Sequence, residues 1–130
     1  MSPLASSPVM AFIGTRSAET AKAFYGGLLG MTLLNESPFA LEFDGLGCVL
    51  RVTMVREVSV APYTVLGWRV EEIEVVVDEM AERGVVFERF GGLPQDERGI
   101  WTAPGGDKVA WFKDPEGQIL SVSCHVSPLR

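Results

Sequence analysis

The sequence predicts an α+β fold of two βαβββ modules whose strands form a curved mixed sheet around a cleft. Three observations carry this reading. The order strand, helix, three strands occurs twice in 130 residues, the second copy starting 55 to 56 positions after the first, Met10 against Leu66 and Ser17 against Glu72. A module of about 55 residues buries too little to cover both faces of its own sheet, so two must pack together. The stretch V-A-W-F-K-D-P-E-G-Q-I-L-S-V-S-C-H at 109–125 reads as a β-hairpin closing the second copy.

Residues 1–8 are rich in Ser and Pro, with neither a basic stretch nor an apolar core, and read as a flexible lead-in rather than a signal peptide. Residues 9–126 form a single domain with modules at 9–56 and 63–126, and residues 127–130 form a C-terminal tail. V-M-A-F-I-G-T at 9–15 is the first strand. Ser17 caps a helix with Glu19 in its first turn, where the helix dipole favours an acid. Ala21, Phe24, Tyr25 and Leu28 give that helix one apolar stripe, Gly26 and Gly27 loosen its last turn, and Gly30 stops it. Strands are expected at 31–35, 39–43 and 48–55, with turns at 35–38 and 44–47. After a connector at 57–62 come a strand at 63–70 and a helix at 72–83, with Ile73, Val76, Val77 and Met80 on one stripe. Gly84 stops this helix. Strands at 85–90 and 100–103 flank a Gly/Pro/charged loop at 91–99.

In the final hairpin, Asp114 opens the turn, Pro115 fixes φ, and Gly117 supplies the left-handed conformation that closes it. The second arm alternates Ile119, Ser121 and Ser123 with Leu120, Val122 and Cys124, one face hydroxyl-bearing and the other apolar. The hydroxyl face lines either a binding cleft or a solvent-facing edge.

An apolar fraction of 47% argues for a packed globule. The net charge of −6 and the lack of a Lys/Arg cluster argue against nucleic acid and anionic membrane as partners. No run of 18 apolar residues marks a membrane span. Cys48 and Cys124 have no metal-ligand spacing and read as reduced thiols in a cytoplasm.

F-Y-G-G-L-L-G-M at Phe24–Met31 resembles the helix-to-strand segment F-Y-x-x-x-L-G-[LM] of the vicinal oxygen chelate superfamily. W-F-K-D-P-E-G-Q-I-L at 111–120 is similar to its C-terminal hairpin signature, and V-E-E-I-E at Val70–Glu74 to its second strand-helix junction. That superfamily holds glyoxalase I, extradiol dioxygenases, fosfomycin-modifying enzymes and bleomycin-resistance proteins. The resemblance spans nearly the whole chain and implies the two-module fold. In metal-dependent members the ligands come from the first and last strands of each half. The corresponding residues are Met10, Arg51, Leu66 and Ser121, counting seven back from Ser17 and six back from Glu72 for the first strands. A thioether, a guanidinium, an alkyl chain and a neutral hydroxyl make no divalent site, so neither a metal nor another cofactor is expected. His125 adjoins Cys124, which points to the opposite strand face, and reads as a surface residue. Glu42, Glu71, Glu72 and Glu88 read as helix-start and strand-surface charges.

If Met10 and Leu66 face the cleft, alternation brings Phe12 and Trp68 with them. Arg51 and Thr53 join from one last strand, Ser121 and Ser123 from the other, with Trp111 and Trp101 nearby. The mixture suits a planar or amphipathic small molecule bearing an anionic group. Arg51 meets either that anion or a neighbouring carboxylate such as Glu42. Cys48 reads as an inert thiol, and with a single histidine near the end of the chain a Ser-His-Asp or Cys-His arrangement is not expected. The reading is a binding or sequestering protein like the bleomycin-resistance branch, forming a homodimer. The alternative is an enzyme of the same superfamily (a lyase, an isomerase or a dioxygenase-like oxidoreductase) working without metal or with ligands elsewhere.

Overall fold

The first expected strand becomes β1, Met10–Thr15. Ser17 then caps the first helix as its side chain accepts from the Thr20 amide at 3.2 Å. Helix α1, Ala18–Ala21, runs directly into π-helical turns at Lys22–Leu28. The wider turns shift the apolar stripe. Ala21 and Tyr25 are buried, Tyr25 at 1% exposure, while Phe24 and Leu28, expected beside them, are only half-buried. Gly26 permits the close approach, since a Cβ there would stand 3.3 Å from the Phe43 ring. Strands β2 (Leu33–Glu36), β3 (Ala40–Asp44) and β4 (Val49–Met54) complete the module. Its sheet has the order β1-β4-β3-β2, with β1 parallel to β4 and the other pairs antiparallel. Leu41, Phe43, Leu50, Val52 and Ile13 are the buried set, with the Tyr25 ring 6.1 Å from that of Phe43.

The structure, a computed structural model, describes residues 2–127. Met1 of the expected lead-in and residues 128–130 of the expected tail lie outside the described residues. The chain divides into two units between Ser59 and Val60, within the expected connector.

The second unit repeats the topology. Strand β5 is Leu66–Arg69, α2 is Ile73–Glu82, β6 is Trp101–Thr102, β7 is Lys108–Lys113 and β8 is Ile119–Cys124. The order is β5-β8-β7-β6, again with only the first pair parallel. Helix α2 buries Ile73 and Val77, while Val76 and Met80 are half-buried. It ends in a Schellman motif: the Val85 amide donates to the Met80 carbonyl (3.0 Å) and the Gly84 amide to that of Ala81 (3.0 Å), with Gly84 at φ +104°. The covered sheet face is Ala110, Phe112, Leu120 and Val122, all buried.

One expected strand is absent. Residues 85–90 contribute a single bridge, Phe87 to Phe112, beside a bond from the Glu88 amide to the Trp111 carbonyl. The free edge of β7 is divided between this piece and β6. The loop between them is tied by Gln95, which accepts from the Phe90 amide and donates to the carbonyls of Glu88 and Gly99. The final hairpin forms as expected. Asp114 Oδ1 accepts from the amides of Glu116 and Gln118, both at 2.9 Å, and Gly117 sits at φ +85°.

Candidate functional site

Each sheet has one face turned from its helix, and strand register decides which side chains lie there. In the first unit Met10, Phe12, Arg51, Thr53 and Glu42 share that face, since Phe12 pairs with Arg51 and Arg51 with Glu42. Phe12 is 65% exposed. Arg51 Nη1 donates to Glu42 Oε2 at 2.9 Å, the carboxylate option of the two open for it.

In the second unit Ser121 pairs with Gly67 and Trp111, and Ser123 with Arg69 and Val109. Trp111, Ser121 and Ser123 therefore share the face turned from α2, as expected. Ser121 is buried at 8% exposure; Gly67 makes room for it, since a Cβ there would lie 2.8 Å from its hydroxyl. Trp111 joins an aromatic cluster with ring centroids 6.1 Å from Trp101 and 5.3 Å, edge-on, from Phe90.

Leu66 and Trp68 require correction. They pair with Leu120 and Val122, not with the serines, so both belong to the helix-covered face, where Trp68 stacks on Phe112 at 6.1 Å. The helix caps Ser17 and Glu72 are equivalent positions, and seven back from Glu72 is Val65. Counting six back moves every side chain of the strand to the wrong face. Trp68 thus packs half-buried on Phe112, and Phe12 has no aromatic counterpart on β5: the residue in register with Ser121, as Phe12 is with Arg51, is Gly67.

The architecture has close counterparts among solved structures. A glyoxalase/bleomycin resistance protein/dioxygenase from Alicyclobacillus acidocaldarius superposes with a TM-score of 0.70 at 20% identity, covering 94% of this chain and 93% of that one. The chain has the glyoxalase/bleomycin-resistance/dioxygenase fold. A glyoxalase family protein from Enterococcus faecalis (TM-score 0.64, 22% identity, 89% and 94% covered) shares it. So does a lactoylglutathione lyase from Agrobacterium tumefaciens (TM-score 0.68, 15% identity, 92% and 93% covered). Neither a protein-family model nor a curated protein sequence matches the chain.

The resemblance places metal ligands of this fold on the first and last strands of each half. Met10, Val65, Arg51 and Ser121 do not fit such an ion, and the corrected register restores no donor. Among the described residues no group of three or more His, Cys, Asp or Glu is placed to hold a metal. No helix among the described residues is long and apolar enough to cross a membrane.

The hairpin's open end holds an arrangement the sequence reading did not expect. Ser123 Oγ lies 2.8 Å from His125 Nε2, and His125 Nδ1 lies 3.2 Å from Asp107 Oδ2. Asp107 Oδ1 accepts from the Val126 amide at 2.9 Å. That bond, then the nearby His125 and Arg69, hold the Asp107 carboxyl below its ordinary value against a desolvation that raises it. His125 also lines a concavity of about 580 Å³ with Arg69, Glu71 and Cys124. The signal was present in the hairpin register: extending the Lys108–Cys124 pair by one residue sets Asp107 opposite His125, while Ser123 and His125 are two apart on one strand.

Proposed function

We propose that the protein binds, and by binding sequesters, a planar and largely apolar small molecule carrying an anionic group, on the face of the second sheet turned from α2. The observation that carries this reading is the Trp101–Trp111–Phe90 cluster beside the serine stripe. Half-exposed indoles give a flat ligand a stacking surface worth about 0.5–1.5 kcal/mol per ring beyond area burial. Ser121 and Ser123 supply hydroxyls that orient it, and Arg69, in register with Ser123, supplies the cation. Arg51 is the lesser candidate for that role because Glu42 already neutralises it. The bleomycin-resistance-like reading accords with a fold retained without metal donors. We propose further a homodimer and, from two free thiols, a reducing cytoplasmic setting.

The test is a thermal-shift screen of aromatic carboxylates and phosphates with and without EDTA, followed by tryptophan-fluorescence titration. Hits are expected to be insensitive to EDTA, with Trp111→Ala weakening them about fivefold, the equivalent of about 1 kcal/mol, and Arg69→Ala selectively weakening the anionic ones. Undiminished binding by Trp111→Ala would place the ligand elsewhere.

A further inference from the structure

We propose that Ser123, His125 and Asp107 form a nucleophilic relay that hydrolyses small activated carboxylic esters, such as aryl esters, through an acyl-Ser123. The order of contacts is the one such chemistry needs. Asp107 Oδ2 accepts from His125 Nδ1–H, which leaves Nε2 as the acceptor for the Ser123 hydroxyl, and both distances, 3.2 and 2.8 Å, are within hydrogen-bond reach. The relay is open to solvent, with His125 and Asp107 side chains 33% and 41% exposed, and His125 forms part of the wall of the adjoining concavity. Asp107 is fixed independently of the imidazole by the Val126 amide, so its carboxylate is a positioning group rather than a loose surface charge. Arg69, in register with Ser123 on the neighbouring strand, lies on the same sheet face and donates from its guanidinium to the Ser127 carbonyl.

The steps balance without any redox partner. Ser123 Oγ bonds to the ester carbonyl carbon as its proton passes to His125 Nε2. The carbon–oxygen bond to the phenol then breaks, and that proton goes to the leaving oxygen. Water attacks the acyl carbon, giving a proton to Nε2. The carbon–Oγ bond breaks, and Oγ takes the proton back as the acid leaves. The relay shares Ser123 and Arg69 with the proposed ligand site, but it is read by covalent modification and the ligand site by affinity, so either reading can fail without the other.

The experiment treats the full chain with a fluorophosphonate, which phosphonylates an activated serine with loss of fluoride, and locates the adduct by peptide mass spectrometry. One adduct on Ser123 is expected. Aryl-ester hydrolysis should vanish in Ser123→Ala. In His125→Ala it should fall at least about a hundredfold, the lower range for a lost general base, and be partly rescued by added imidazole. Asp107→Asn keeps an acceptor for the Val126 amide but removes the charge facing Nδ1, so kcat should drop while KM holds. No adduct, an adduct on another residue, or wild-type hydrolysis by a folded Ser123→Ala would overturn the proposal. The wild-type adduct decides the matter even where a variant fails to fold.

Discussion

Arg51 lies between Phe12 on β1 and Glu42 on β3, a cation set in the middle of a partly apolar sheet face. With 33% of its side chain exposed and 23% of Glu42's, the pair is partly desolvated. Removing one member strands the other's charge in that setting, while removing both restores neutrality. Arg51→Met and Glu42→Gln are each expected to destabilise by about 1 kcal/mol, and the double variant by less than their sum, with coupling of about 0.5–1 kcal/mol. Urea denaturation of the four proteins measures it; strictly additive losses would show the two side chains to be independent. The same residue scale explains why the Ser123 cluster escaped the sequence. A lone histidine near the end of the chain looks partnerless until the hairpin register is carried one residue past the strand ends, where Asp107 faces it.

At the scale of elements, the order and class of nearly every strand and helix were legible, because turn chemistry and alternation are local. The D-P-E-G turn fixed the last hairpin and with it the correct face for Trp111, Ser121 and Ser123. The parallel strand β5 has no such turn to pin it, and a count from the helix cap that slipped by one put Leu66 and Trp68 on the wrong face. Residues 85–90 have the composition of a strand, yet β6 occupies one end of the available edge, and Gln95 closes the loop around the rest. The π-helical turns at Lys22–Leu28 were not legible either, since an apolar stripe at helical spacing does not distinguish them from an α-helix. One contact ties α2 to β7 and gives a pH prediction. Lys108 Nζ donates to Glu74 Oε2 at 2.8 Å; this bond lowers the Glu74 pKa and raises that of Lys108. A lowered carboxyl stabilises above its ordinary pKa and loses that contribution as pH falls; the raised ammonium stabilises below its ordinary pKa and loses it as pH rises. The tie therefore holds through neutral pH and fails on either side. Glu74→Gln has nothing to lose on acidification there, so its drop in Tm between pH 7 and pH 3 should be smaller than the wild-type drop. An identical drop would mean that Glu74 gains nothing from Lys108.

At the scale of the whole molecule, the question left by the fold is what covers the outer apolar side chains of the first unit. Strand β1 stands at the end of its sheet's strand order, next to β4. Its Phe12 is 65% and its Met10 44% exposed, two positions apart and so on one face. Their neighbour Arg51 is already neutralised by Glu42, so this face presents no net charge where Phe12 stands. An exposed apolar stripe of this kind invites a second chain to pack against it. A two-fold contact suits it because both copies offer the same patch. The expected outcome in light scattering at tens of micromolar is the mass of two chains. Phe12→Lys places a charge in the patch while leaving the buried residues of the module untouched, and should shift the mass toward one chain with the far-ultraviolet circular dichroism unchanged. A wild-type monomer at that concentration would count against the homodimer, and a Phe12→Lys dimer would move the interface away from β1.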